Sequence, residues 1–423
     1  AYNNFVMRIF KFGGASVKDA SGVKNVAKVL QHEGTENTLV VISAMGKMTN
    51  AFEQVVNDYF YKKESLKDSL SFVEGFHQNM LNDLFSPNHD IYNRVNHLFG
   101  ELSGFMARNT SKDYNYVYDQ MVGFGELLST TIVSAYLSEI GVENQWLDVR
   151  EYIKTDGTYR DAKINWEQTE QQIKEKVDVS TLNITQGFLG GFGIETTTLG
   201  REGSDYTAGI FAYCLDADSV TIWKDVQGVL NADPRVFSET ALLQEISYTE
   251  AIEMAFYGAS VIHPKTIQPL EQKNIPLYVR SFEDVTKSGT CVGRGKKITP
   301  EVPCFIVKKN QILVAISAKD FSFMVEDNIS DVFKKLHDYN LKVNLIQNSA
   351  ISFSVCIEDK YNNFEDFYND LKGAYKIRAY KGATLYTIRH FNDEAIKTIR
   401  KRGKSIIRQI NTETAQLVIQ ENM

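Results

Sequence analysis

A chain of 423 residues, 43% hydrophobic and 23% charged, is long enough for two or three domains and has the make-up of a globular protein. Its net charge of −7 disfavours nucleic acid as a partner, and no apolar run approaches the roughly 20 residues of a membrane-spanning helix. Cys214, Cys291, Cys304 and Cys356 form no C-x-x-C pair, which argues against structural zinc; with no signal-peptide layout at the start, reduced thiols in the cytoplasm are expected.

The stretch Phe5 to Ser21 is an apolar run ending at Lys11, then Gly13-Gly14, then a helical pattern from about Ser16. Val17, Val23, Val26, Ala27 and Leu30 share one helix face. Strand, glycine turn and helix in this order present backbone N–H groups and a helix N-terminus to an anion such as phosphate, and Lys11 adds a full charge. Many such turns bind nothing. Neither G-x-x-x-x-G-K-[ST] nor a G-x-G-x-x-G after a strand occurs, so a nucleotide site here is of another kind. Thr38–Ser43 reads as a buried strand leading into the polar loop Ser43–Asn50. Helical sequence to about Asn109, broken at Ser86-Pro87-Asn88, predicts an α-helical hairpin beside a sheet. A helix from Phe124 to about Ile140 precedes strands at Gln145–Val149 and Thr181–Leu189. Gly190 to Gly203 is glycine-rich and opens a helix over Ser204–Cys214. The strand Ser219–Trp223 ends in Lys224-Asp225; helices at Thr249–Phe256 and Lys265–Lys273 and a strand at Pro276–Arg280 follow. This alternation predicts an α/β fold, a mostly parallel sheet sandwiched by helices. Ligands in such sheets sit at the carboxyl ends of strands. Lys11–Gly14, Ser43–Asn50, Gly187–Asp205 and Lys224-Asp225 each follow a predicted strand and so collect on one edge.

Composition shifts near Lys297–Pro303, which sets expected domains at 1–298 and 305–423. The second begins with a strand at Ile312–Ile316 and a helix face of Ile329, Val332, Phe333 and Leu336. Strands at Val343–Ile346 and Ile351–Ile357 and a helix at Phe364–Leu371 follow. The theme recurs in Leu385–Ile388, Asp393–Arg402, Ile406–Ile410 and Leu417–Ile419. Two small, similar α+β modules are expected, suited either to a small ligand or to dimerisation.

Four segments, in order and spacing, resemble the aspartokinases of the amino-acid kinase family. Lys11-Phe-Gly-Gly-Ala-Ser-Val17 looks like the signature K-F-G-G-T-S-V. Ser43–Asn50 is similar to the second strand–loop motif, and Phe124-Gly-Glu126 with Leu-Leu-Ser after it to F-G-E-x-x-S. Thr198–Thr207, T-L-G-R-E-G-S-D-Y-T, resembles T-L-G-R-G-G-S-D-x-T. Asp225-Val-Gln-Gly-Val, Asp233-Pro-Arg235 and Tyr257–Pro264 extend the match, and the C-terminal repeat is similar to paired ACT modules. No fused homoserine dehydrogenase domain is expected.

The resemblance implies transfer of the γ-phosphoryl group of ATP, with Mg2+, to the β-carboxylate of aspartate, giving 4-phospho-aspartate on the way to lysine, threonine and methionine. A carboxylate of pKa about 3.9 is already ionised at neutral pH and needs no general base. The demand is for positive charge and accurate placement of two anions. By the match, Lys11 stabilises the transferring phosphoryl group and Asp205 orients Lys11; a helix N-cap is the plainer reading of Asp205. Ser43, Thr49, Glu126, Arg201 and Ser204 hold aspartate, with Arg201 on the α-carboxylate and Glu126 on the α-ammonium. Taken alone, Glu126 reads as a first-turn carboxylate favoured by the helix dipole. Gly13, Gly14, Ser16, Lys224, Asp225, Leu230, Arg235 and Ser260 fall on the nucleotide side. No organic cofactor and no resident metal site is implied. The ACT modules imply a homodimer and an amino-acid effector, lysine or threonine, with Ser322, Val325 and Asn344 as candidate contacts; the stretch Phe321–Asn328 lacks the glycine usual there.

The chain departs from the family pattern at Ala15 (for Thr), Glu202 (for Gly), Leu230 (for Tyr) and Ser260 (for Lys), while Lys224 replaces a Thr. Lys224 is therefore expected to supply the cation that Ser260 cannot. A rival within the fold is a kinase for another amino acid or acyl-amino acid; a rival outside enzymology is an impaired regulatory subunit or amino-acid sensor.

Overall fold

The computed structural model describes residues 6–260 and 262–422; Phe5 and Val261, both within the stretches discussed above, lie outside them. The chain divides into two compact units. The first comprises residues up to Val229, Leu242–Ile252 and Ile262–Thr299. The second comprises Leu230–Ala241, Glu253 to residue 261, and Pro300 onward.

In the first unit β1 (Arg8–Phe12), α1 (Ala20–Glu33) and β2 (Thr38–Ile42) are followed by α2 (Met48–Phe60), α3 (Leu66–Leu84), α4 (Ile91–Arg108), α5 (Tyr114–Val122) and α6 (Phe124–Glu139). Then come β3 (Gln145–Leu147), α7 (Trp166–Lys176), β4 (Asn183–Gln186), the hairpin β5 (Leu189–Phe192) and β6 (Glu195–Thr198), α8 (Gly203–Cys214) and β7 (Ser219–Lys224). Two short strands, β8 (Val229–Leu230) and β9 (Leu242–Leu243), lie where the chain leaves and re-enters this unit. It closes with β10 (Glu245–Ser247), α9 (Tyr248–Tyr257), whose last turns belong to the second unit, α10 (Pro264–Gln272), β11 (Leu277–Ser281) and β12 (Thr290–Gly293). The sheet order is β10-β12-β11-β7-β1-β2-β4-β3, parallel at every pair except β11 with β12. All five residues of β2 are buried, as an unbroken apolar strand covered on both faces must be.

Three local expectations change. The helix read from Ser16 begins at Ala20, because Gly14–Val17 forms a tighter 3-10 turn and Asp19 caps the helix by accepting from the Gly22 N–H. The expected helical hairpin is three helices, α2 to α4, with α5 beyond them. The glycine-rich stretch before α8 contains the β5–β6 hairpin, which glycine density concealed.

His77 on α3 is fully buried among Phe52, Phe76 and Phe99. Its Nδ1 lies 2.7 Å from the Val73 carbonyl oxygen, and its Nε2 has no partner. Burial lowers its pKa to about 4. Above pH 6.5 both folded and unfolded chains carry it neutral. Between 6.5 and 4 only the unfolded chain takes the proton, so stability falls by roughly 3 kcal/mol over that window. His77→Phe is expected to remove that contribution, read as the change with pH in the difference between variant and wild-type urea-unfolding midpoints across that window.

The second unit holds a six-stranded antiparallel sheet, β14-β15-β13-β16-β18-β17. Its elements are β13 (Cys304–Ala318), α11 (Glu326–Asp338), β14 (Lys342–Asn348), β15 (Ser352–Glu358), α12 (Phe364–Leu371), β16 (Tyr375–Arg389), α13 (Asp393–Arg400), β17 (Gly403–Ile410) and β18 (Thr414–Glu421). The two modules are nested. The outer half of β13, Cys304–Lys308, pairs with Leu385–Arg389, while its inner half, from Gln311, pairs with β15 and with Tyr375–Ala383. One module therefore lies between the first strand of the other and the rest of it. Each has its own core: Val314, Val332, Phe353 and Phe367 in the inner, Ile388, Ile399 and Leu417 in the outer. Among the described residues no helix is long and apolar enough to cross a membrane.

Candidate active site

β7, β1, β2 and β4 are neighbours and mutually parallel, so the segments following them emerge at one sheet edge. Backbone contacts draw them together. A Cβ on Gly14 would lie 2.4 Å from the Gly46 carbonyl oxygen, and Gly46 N–H donates to the Gly14 carbonyl at 3.0 Å. Only glycine admits that approach. Gly187 N–H donates to the Ile42 carbonyl at 3.0 Å, and a Cβ on Gly187 would meet Ser204 Oγ at 2.3 Å.

Two helices bring carboxylates to this edge. α6 is buried on nearly every side, as is α8, so their first turns are held by packing all round. Glu126 lies in the first turn of α6 and Asp205 in that of α8. Lys11 Nζ is 2.8 Å from Asp205 Oδ1, with side-chain exposures of 14% and 8%. The contact is ionic without hydrogen-bond alignment, and Asp205 Oδ1 keeps no aligned donor. Glu126 is buried and its Oε2 has no partner. Burial raises its pKa to about 8, against the pull of its own backbone N–H and that of Ala44. The hydroxyls of Ser16 and Ser129 are likewise buried and unpartnered. One edge thus offers a cation, an ionic carboxylate, a buried carboxyl awaiting a donor, and the free hydroxyl of Ser16. Ser129, the serine of the Phe124–Ser129 motif, was not among the residues expected from the sequence.

Ser43, just after β2, and Thr49 and Ser204, in the first turns of α2 and α8, are half-buried. Arg201 is exposed and stands between two residues of positive φ, Gly200 at 82° and Glu202 at 54°. Lys224 is half-buried at the end of β7, and Asp225 after it is exposed.

Residues 7–281 match the amino acid kinase family. The chain belongs to that family, in its aspartokinase branch. Lysine-sensitive aspartokinase 3 of Escherichia coli is 31% identical over 366 residues, 83% of this chain and 78% of that protein. Bifunctional aspartokinase/homoserine dehydrogenase 2 of Arabidopsis thaliana is 30% identical over 366 residues, 82% of this chain. The chain spans 39% of the length of that bifunctional relative. E. coli aspartokinase III in complex with lysine and aspartate (T-state) superimposes with a TM-score of 0.81 at 26% identity, covering 98% of this chain and 96% of that one. The complex of the same enzyme with aspartate and ADP (R-state) gives 0.78 at 26% identity, with the same coverage.

Other residues expected from the aspartokinase resemblance belong to the second unit. Leu230 is half-buried; Arg235 is exposed and folds back on Asp233 through a 2.8 Å ion pair. Their segment, Leu230–Ala241, packs Ala232 and Phe237 into the outer ACT-like core, and Arg402 donates to the Val236 carbonyl at 3.0 Å. Ser260 is exposed after α9. Of the effector candidates, Ser322 is exposed and bonds Asp320, and Val325 precedes α11. Asn344 donates to Gln311 at 2.8 Å and accepts from Lys308 at 3.0 Å, so both ends of its amide are engaged. Among the departures from the aspartokinase pattern, Ala15 is exposed, and Glu202 is exposed in the left-handed conformation that its usual glycine adopts without strain.

Proposed function

We propose that this chain is a cytoplasmic aspartate kinase that moves the γ-phosphoryl group of MgATP to the β-carboxylate of L-aspartate, giving 4-phospho-L-aspartate, and acts as a homodimer in lysine, threonine and methionine formation. The observation that carries the reading is the buried Glu126 carboxyl with Oε2 unpartnered. A buried carboxylate calls for a cation, and the α-ammonium of a free amino acid supplies one; an N-acylated acceptor does not. Arg201 would take the α-carboxylate through a bidentate contact. The β-carboxylate then attacks the γ-phosphorus directly, as an anion. Lys11, held by Asp205, neutralises charge on the phosphoryl oxygens as the bond to ADP breaks. Gly13, Gly14 and Ser16 line the phosphate side, with Lys224 and Asp225 beyond. The ADP and lysine complexes of the E. coli relative support ATP as the phosphoryl donor and lysine as the first effector to test.

The test is ATP-dependent hydroxamate formation with aspartate, glutamate and acetylglutamate in parallel. Product with aspartate alone is expected. Product with another acceptor reassigns the substrate, and none with any of them makes the chain a regulatory subunit. Lys224→Ala is expected to raise the KM for ATP by about tenfold, the weight of one charge-assisted phosphate contact, with the KM for aspartate unchanged; steady-state kinetics with each substrate varied decides this.

A further inference from the structure

Arg201 is exposed, yet the three residues before it are each tied to a distant side chain or turn. Thr198, the last residue of β6, is held by Asp119 from α5. Asp119 Oδ2 accepts from the Thr198 N–H and from the Arg160 N–H, both at 2.9 Å, and Oδ1 accepts from the Thr198 hydroxyl at 2.7 Å. The carboxylate is fully buried, and its three bonds go to the end of β6 and to the Arg160 turn rather than to its own helix. Next door, Gln120 and Thr196 exchange two further bonds, at 2.7 and 3.1 Å. Leu199 is held from the other side: Lys265, in the first turn of α10, donates to its carbonyl at 2.9 Å. The Lys265 ammonium also lies 4.6 Å from the centre of the Tyr206 ring on α8. Gly200 fits against the 160–161 turn, where a Cβ would lie 3.2 Å from the Arg160 carbonyl oxygen. Arg160 in turn stacks over Tyr118, 4.0 Å from its ring centre.

We infer that Asp119 and Lys265 are positioning residues for the acceptor's α-carboxylate, fixing from two sides the loop that aims Arg201. Neither lies in a glycine-rich motif, and neither is needed to hold Lys11 or the Gly13-Gly14 turn. Their effect therefore falls on the acceptor and not on ATP. The inference rests on the reading that Arg201 receives that carboxylate.

The experiment compares wild type, Asp119→Ala, Asp119→Asn, Lys265→Met and Arg201→Ala, with each substrate varied and hydrogen exchange followed over residues 198–202. Asp119→Ala and Lys265→Met are expected to raise the KM for aspartate by about tenfold or more, the scale of a misplaced binding group. The KM for ATP stays within about twofold, well below the tenfold weight of a phosphate contact. Exchange at Thr198 and Leu199 accelerates in both variants. Asp119→Asn restores most of the loss, since an amide oxygen still accepts from both N–H groups while its NH2 turns to the Thr198 hydroxyl. A folded Lys265→Met protein with unchanged aspartate KM and unchanged exchange overturns the proposal, even where Asp119→Ala fails to fold. Equal rises in both KM values also overturn it, as a general structural defect. If Arg201→Ala leaves the aspartate KM unchanged, the reading of Arg201 is what fails. Exchange alone then decides whether Asp119 and Lys265 order the loop.

Discussion

Glu126→Gln is expected to stabilise the ligand-free protein at pH 8 while abolishing aspartate binding. The native carboxyl titrates at about 8, against 4.5 in an unperturbed chain, because it is buried with one oxygen unpartnered. A raised carboxyl pKa means that the unfolded chain releases its proton above pH 4.5 while the native protein keeps it until about 8. Stability therefore falls as pH rises across that window, by at most roughly 4–5 kcal/mol. The amide carries no charge and escapes this loss, so the difference between variant and wild-type unfolding midpoints should widen as pH rises over the same range. The same group gives a binding signature. An α-ammonium beside Glu126 favours the ionised form, so binding at pH 7 expels about one proton per aspartate. Calorimetry in two buffers of different ionisation enthalpy measures that proton. Its absence in wild type, or its persistence in Glu126→Gln, removes Glu126 from the ammonium site.

Lys11→Met is expected to lower kcat by at least about a hundredfold, the scale seen when one preorganised donor to a developing charge is lost. The stability effect is separate. Lys11 and Asp205 are in ionic contact with side-chain exposures of 14% and 8%. Removing only the lysine strands a mostly buried carboxylate, at a cost of roughly 2–4 kcal/mol. Lys11→Met with Asp205→Asn should regain most of that stability, since neither group is then a lone charge, and regain none of the activity. Thermal unfolding and kcat measured on the two single variants and the double variant form a cycle that separates the two effects. Recovery of kcat in the double variant would mean that the lysine matters for folding and not for phosphoryl transfer.

The candidate site was legible in the sequence where chemistry and backbone geometry coincide. Lys11, Gly14, Glu126 and Asp205 all sit at strand ends or in first helical turns, where glycine, charge and periodicity leave local marks. Arg201, the proposed α-carboxylate contact, stood out through its glycine-rich flank. Asp119, Thr198 and Lys265, the residues that tie down the segment before it, did not. A lone aspartate in the polar segment Tyr114–Gln120 leaves no pattern, because its partners are 41 to 79 residues away. Lys265 read as one more helix residue, and only the fold brings it to the Leu199 carbonyl.

The same division runs through the architecture. Hydrophobic periodicity and glycine turns determined by themselves that the chain builds a parallel sheet with helices and then two small α+β modules. These signals are local, set by the alternation of side chains along a strand and by the turn of a helix. Only the tertiary structure decided that the two modules are nested through shared long strands, β13 and β16, that Leu230–Ala241 packs in the second unit, and that Glu126 is left buried with one oxygen unpartnered. Those features depend on which strand lies beside which and on what excludes water, and one stretch of sequence carries neither.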